Sequence, residues 1–334
     1  MKAMSLRRAG HGVRHRVSAV PAVQDAVAGL LLCLVPSLIF VEAPYTMQLV
    51  TRIMILGLFA MSLQWLVGQL GLVSLGHAAF FGLGGYVLAL LEPFAGEAVS
   101  KSFWLTLASS VGVAMVFAAV TGYLVLRTRD AYFLMATLAF GQLLYFVAHD
   151  TRLAGSSDGL FLVVRPELAG HSLGSAPVLL VVVWVCVLTA WLALRRLAGS
   201  HFGHALAGVR MNAQRMRSLG YDGLRLQLAG YVVAGGLAGL AGYLATLQYG
   251  FVNPESCSWQ QSGAVLLMVI LGGRRSIPGA LLGAAAIVLV QEVFGNSALF
   301  GDWARHWPLV LGGGFLAMAL WPGSGTAGSG LDRR

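Results

Sequence analysis

Apolar residues in this chain gather in long blocks, separated by short stretches rich in arginine and glycine. Ten blocks stand near residues 24–44, 48–67, 74–91, 103–126, 131–149, 176–194, 226–248, 262–272, 277–295 and 307–321. Most run for roughly 18 residues or more with few charges, which is the length of helix that crosses a ~30 Å hydrocarbon core. The pattern predicts an all-α fold, a polytopic transmembrane helical bundle of about ten segments. The eighth block is too short to span as a straight helix. It is either a half-helix or extends back through its polar flank. The organisation read from the blocks is a basic tail over 1–23, one transmembrane domain over 24–322, and a flexible tail over 323–334 containing GSGTAGSG. The first block follows a basic stretch (Arg7, Arg8, Arg14, Arg16) as in a signal peptide. No small-residue cleavage site follows it, so it reads as an uncleaved first helix.

Composition agrees. Apolar residues make up 57% and charged residues 10%, against about a quarter charged in a soluble domain. The 43 glycines suit close helix packing in lipid. The net charge of +9 does not point to nucleic acid, because the basic residues fall between apolar blocks, where topology needs them. With the N-terminus placed in the cytoplasm, inside segments hold seventeen Lys and Arg and outside segments four (Lys101, Arg152, Arg165 and Arg305). Arg52 alone lies within a block. The asymmetry sets both termini inside, the long loop 150–175 outside and the long loop 195–225 inside.

Several chemistries are missing. The two lysines, Lys2 and Lys101, exclude a GxxxxGK phosphate loop, so this chain does not bind ATP by that route. Gly155–Gly159 fits GxSxG, but that nucleophile elbow needs a strand before it and a helix after, and here it sits between membrane blocks. His201 and His204 lack a third metal ligand nearby. Cys33, Cys186 and Cys257 are isolated and read as packing residues. No cofactor and no metal are expected.

The inside loop carries GHALAGVRMNAQRMRSLGYD at 203–222. Leu206, Val209, Ala213 and Met216 recur at helical spacing, while Arg210, Gln214 and Arg217 form a polar stripe. Gly220 stands where a helix end wants a left-handed residue. The segment is read as one short amphipathic helix, either lying on the membrane surface or docking in a partner's groove. In the third block Gly76, Gly82, Gly84 and Gly85 allow tight packing or a broken helix whose amides and carbonyls line a polar path. His77 is ionisable at the start of that block, a candidate for function or for a carbonyl partner. Gly235 with Gly239, and Ala238 with Gly242, make small-xxx-small pairs for helix packing.

These stretches resemble the branched-chain amino-acid permease family of ABC importers. The resemblance rests on GLVSLGHAAFFGLGGY at 71–86, AYFLMATLAFGQLL at 131–144, SSDGL at 156–160, RMNAQRMRSLGYD at 210–222, the run from Ala234 to Gly263, LLMVILGG at 266–273 and GALLGA at 279–284, and it covers roughly 50–320. Two departures stand out. Ser156 and Ser157 replace the family's paired glycines, and Arg274 and Arg275 follow LLMVILGG. The resemblance implies the permease subunit of an ATP-driven importer in the bacterial inner membrane. It further implies a second related permease, two cytoplasmic ATP-binding subunits and an external solute-binding protein as partners. The coupling loop would use Leu206, Val209, Arg210, Asn212, Met216 and Gly220. The path would run by Ser74, Gly76, His77 and Gly82, with Asp158 and Gly159 on the external loop. The solute would be a branched-chain or other amino acid, urea or a short amide. A secondary ion-coupled transporter is the alternative. It would use carboxylates in spans, of which Glu292 is the clearest, and would leave the basic inside loop unexplained.

Overall fold

A computed structural model describes residues 44–128, 130–168, 170–273 and 277–295, together with Leu309, Gly312 and Gly313. The blocks 24–44 (except Pro44) and 307–321 (except those three residues) lie outside the described residues, as do the tails 1–23 and 323–334, Arg274 and Arg275. The other eight blocks are helices. They are α1 (Pro44–Trp65), α2 (Ala78–Ala95), α4 (Phe103–Val125), α5 (Ala131–Asp150), α6 (Ala176–Ala198), α9 (Gly223–Tyr249), α10 (Trp259–Gly272) and α11 (Ile277–Phe294). Short helices α3 (Glu97–Lys101), α7 (His201–Met211) and α8 (Ala213–Ser218) fill the connections. Among the described residues six helices are long and apolar enough to cross a membrane, and α10 and the apolar part of α2 are shorter. The eighth block does extend back, to Trp259, and remains short at 14 residues.

Local chemistry sets the ends. Asp222 caps α9 by accepting from the amides of Leu224 and Arg225, and Gly250 closes it in the left-handed region. Ser258 caps α10, and Pro177 opens α6 in its first turn. Arg195 and Arg196 sit in the last turn of α6, where the negative end of the helix dipole favours cations.

The continuous helix of α1 with its extension to Leu70, and α9, each of 27 residues, form the interior of the bundle. Small residues let the backbones meet. Gly84 of α2 faces the Gly239 carbonyl of α9, and Gly242 faces the Phe81 carbonyl, so any side chain there would displace backbone. Ala118 and Ala114 of α4 close on Gly235 and Gly239. α10 and α11 fold into a hairpin on Gly272 and Gly283, and Leu281 of α11 abuts Gly57 of α1. The peripheral helices α4 and α5 turn large apolar side chains outward, including Trp104, Val116, Tyr132 and Met135. That is the exposure expected of a surface solvated by lipid rather than water.

Four two-residue strands tie loops at one end of the bundle. β1 (Leu160–Phe161) pairs antiparallel with β4 (Phe251–Val252), and β2 (Glu167–Leu168) with β3 (His171–Ser172). The first pair fastens the 150–175 loop to the turn after α9.

Candidate functional site: a broken segment, a polar cavity and a loop clamp

The third block is helical only from Ala78, and Gly82, Gly84 and Gly85 serve tight packing inside that continuous helix rather than breaking it. After Trp65, α1 widens into a π-turn over Leu66–Leu70, and Gly71, with φ +74°, ends it in the left-handed region. The chain then runs without helix until Ala78. π-turns concentrate at functional places because they aim backbone groups away from the helical ladder. Non-helical backbone at membrane depth survives when its polar groups are satisfied by protein. Here Thr137 Oγ1 accepts from the Leu75 amide at 3.3 Å, and Ser262 Oγ accepts from the Ala78 amide at 2.9 Å. The Gly76 backbone lies against the carbonyl of Thr137, with Gly141 on its other side.

His77 is fully buried. Its ring stacks on Phe59 with centroids 5.6 Å apart and meets Phe80 edge-on. Its Nε2 lies 2.8 Å from Ser62 Oγ, and that hydroxyl donates its single proton to the Phe59 carbonyl at 2.6 Å. With that proton on the Phe59 carbonyl, Nε2 acts as the donor to Ser62 Oγ. Nδ1 is left a buried acceptor with no partner among the described residues.

Beside this segment lies a cavity of about 750 Å³, walled by α1, α2, α9, α10, α11 and the turn 251–256. That volume is in the range of small-molecule sites, roughly 300–1,000 Å³. Ile55, Leu56, Phe81, Met268 and Ile287 give it an apolar wall, and Arg52, Asn253, Glu255, Gln260, Gln261 and Gln291 give it polar groups. Arg52 donates from Nη2 to Gln291 Oε1 at 3.1 Å.

Of the six residues expected along the path, Gly82 alone lines this cavity, packed on Cys257. Ser74, Gly76 and His77 lie together in the buried break, behind the cavity wall. Asp158 and Gly159 stand elsewhere, on the 150–175 loop. Asp158 is exposed and accepts from Ser157, and Gly159, with φ +75°, packs on the Val252 carbonyl next to the cavity turn. Ser156, which replaces a family glycine, has φ +52°, a left-handed conformation that a glycine adopts more cheaply. The GxSxG stretch is one turn of 3-10 helix, Ser156–Asp158, preceded by another at Arg152–Ala154 rather than by the strand of a nucleophile elbow. The polar cavity residues were not assigned to the path from sequence. Their one legible signal was Arg52, a charge inside an apolar block.

The loop 199–222 departs from the single helix expected. It breaks at Asn212, whose side chain caps α8 by accepting from the Arg215 amide at 2.9 Å. Gly220, at φ +87°, ends α8, with its amide bonded to the Arg217 carbonyl and the Tyr221 amide to the Met216 carbonyl. This is the paired-bond helix stop that favours glycine. The apolar stripe also corrects the expectation. Leu206 and Val209 are 1% and 4% exposed, because they pack inward on Gly230, Leu70 and Gly223 rather than outward toward a partner. Met216 is half-buried against Gly208. The outward apolar groups are Met211 and Leu219, 82% and 66% exposed. Arg210 donates to the Gly68 carbonyl in the π-turn, and its stem lies over Gly71, where the break begins.

A multi-pass bundle of apolar helices around a mixed polar and apolar cavity is the build of a transport permease. The chain belongs to the family described as branched-chain amino acid transport system / permease component, whose model matches residues 45–320. It is 27% identical over 332 residues to the high-affinity branched-chain amino acid transport system permease protein LivM of Escherichia coli K12, covering 90% of this chain and 76% of LivM. It is 24% identical to the high-affinity branched-chain amino acid transport system permease protein LivH of the same strain, over 71% of this chain and 80% of LivH. The autoinducer 2 import system permease protein LsrC of Salmonella choleraesuis is 30% identical over a shorter stretch, 37% of this chain and 38% of LsrC. No solved structure matches the chain.

Proposed function

We propose that the chain is one permease subunit of an ATP-driven importer in the bacterial inner membrane, passing a branched-chain or other amino acid through the cavity at α1, α9 and α10. Membership of the permease family over residues 45–320 carries this reading. LivM supports the amino acid over urea or a short amide, since its name gives branched-chain amino acids as its solute. LivM and LivH are two permeases of one strain, and both resemble this chain. That supports a second, related permease as partner. Two cytoplasmic ATP-binding subunits would supply energy, and an external solute-binding protein would deliver the solute. The full bundle has about ten segments, with both termini and the loop 195–225 in the cytoplasm and the loop 150–175 outside.

The loop 199–222 is the proposed coupling element. Met211 and Leu219, with the cationic Arg215 and Arg217, form its outward face. Leu206, Val209 and Arg210 anchor it to the bundle, while Asn212, Met216 and Gly220 shape it. Reconstituted alone in vesicles, the chain should neither hydrolyse ATP nor accumulate amino acid. Co-reconstituted with its partner permease, ATP-binding subunits and solute-binding protein, it should give ATP-dependent uptake. Accumulation by the single chain on a proton or sodium gradient would overturn the reading in favour of a secondary transporter.

A further inference from the structure

The described cavity lining contains one cationic side chain, Arg52, and one anionic side chain, Glu255. Neither takes part in any of the three ion pairs among the described residues. Arg52 comes from the third turn of α1, inside an apolar block, where a cation is costly and marks function. Its guanidinium has five N–H donors. One nitrogen, Nη2, bonds Gln291, while Nε is buried without a hydrogen-bond partner. The closest carboxylate on the facing helix, Glu292, accepts from the Tyr45 hydroxyl. Glu255 comes from the 3-10 turn Pro254–Cys257 between β4 and α10. Residues 259–261 of the first turn of α10 line the same cavity and add the partial positive charge of a helix start.

We propose that Arg52 and Glu255 are the two poles of a zwitterion site. The Arg52 guanidinium takes the α-carboxylate of the solute, Glu255 takes its α-ammonium, and Ile55, Phe81, Met268 and Ile287 take its aliphatic side chain. An uncharged solute such as urea would leave the buried Nε of Arg52 without a partner and would gain nothing from the exposed carboxylate of Glu255. The inference rests on the amino-acid permease reading and assigns its selectivity to residues.

The test uses the complete importer in vesicles and measures ATP-driven uptake of radiolabelled leucine. Wild type is compared with Arg52→Gln, Arg52→Lys, Glu255→Gln and Gln291→Ala, all supplied with the same solute-binding protein. Yield of the purified complex controls for assembly. Loss of one charged hydrogen bond is expected to lower kcat/KM about tenfold or more in Arg52→Gln and in Glu255→Gln. Arg52→Lys keeps the charge and should recover to within about threefold of wild type, and Gln291→Ala, which removes a partner of the guanidinium but keeps its charge, should lose less than Arg52→Gln does. Wild-type kinetics in Arg52→Gln or in Glu255→Gln would overturn the site while leaving the amino-acid reading intact. A full defect in Gln291→Ala without rescue by Arg52→Lys would overturn it too, showing that Arg52 clamps α11 instead. Should Arg52→Gln fail to assemble, Arg52→Lys and Glu255→Gln decide. Wild-type complexes that carry urea but no leucine would sink the amino-acid reading itself.

Discussion

Placing Asp at Val209 separates a loop that is built into the bundle from one that is a free docking helix. Val209 is 4% exposed and packs over Gly223, where α9 begins. Removing its burial costs about 1.5 kcal/mol or more. A carboxylate held in that apolar contact must also take up a proton. Each unit by which its pKa rises above the ordinary ~3.9 costs about 1.4 kcal/mol, so neutrality at pH 7 costs about 4 kcal/mol. The chain can instead release α7 and hydrate the carboxylate. It then forfeits the contacts of Leu206 and Arg210 as well, a loss of similar size. Either route predicts roughly 5–6 kcal/mol of destabilisation at pH 7. The folded-state pKa is raised, so the penalty vanishes below ~3.9 and grows with pH; between pH 7 and pH 5 it should shrink by about 1.4 kcal/mol per unit. The assay is thermal unfolding and limited trypsin cleavage of the single purified chain in detergent, with Arg210, Arg215 and Arg217 as exposed cleavage sites. Val209→Asp should melt earlier and be cut faster with no partner present. Wild-type melting and cutting in the isolated chain, with a defect only in assembly with the ATP-binding subunits, would refute the buried placement of Val209.

Gly76→Ala should cost about 1–3 kcal/mol of stability and impair uptake, because the new Cβ meets the Thr137 carbonyl, which cannot rotate away; unchanged melting would show that the break is not clamped there. Ser62→Ala removes the acceptor of His77 Nε2–H and should destabilise by about 1–3 kcal/mol, checked by the same melt, with no change counting against that hydrogen bond. Cysteines placed at Ser157 and at Ser200 should react with an impermeant maleimide from opposite faces of the membrane, and labelling from one face would refute the charge-based orientation.

Length and period carried the helices. Eight apolar blocks became helices within a few residues of their expected ends, because a span's length is set by the hydrocarbon and not by its neighbours. Gly220 was legible for the same reason, since a helix stop is local chemistry. The non-helical stretch 71–77 was not legible, since three of the four crowded glycines, Gly82, Gly84 and Gly85, proved to be packing positions inside a continuous helix. The groups that make it tolerable, Thr137 and Ser262, lie 62 and 184 positions away. The cavity was hidden in the same way, as Arg52 meets Gln291 across 239 positions. In the loop, the stripe of Leu206 and Val209 was read correctly as an apolar face. A helical period shows that a face must be covered, but not whether this chain or another covers it, and here the end of α1 and the start of α9 do so.

The same long-range contacts give the loop a short route to the cavity. Arg210 reaches the Gly68 carbonyl and covers Gly71, so α7 touches both the π-turn and the first residue of the break. Trp65, one residue before that turn, donates to the Gly230 carbonyl and holds α1 to α9. The chain leaves the helical ladder after Gly71 and Leu72, whose amides both bond the Leu66 carbonyl. Close-packed helices pass strain on rather than absorb it. The last residues of the segment 71–77 are pinned to Thr137 on α5 and, through the Ala78 amide, to Ser262 on α10. Ser262 is flanked by Gln261 and Gly263, which line the cavity. His77, buried at the end of this segment, holds Ser62 with one ring nitrogen and packs its ring on Phe59 and Phe80, which ties the segment back to α1 through Ser62 and Phe59.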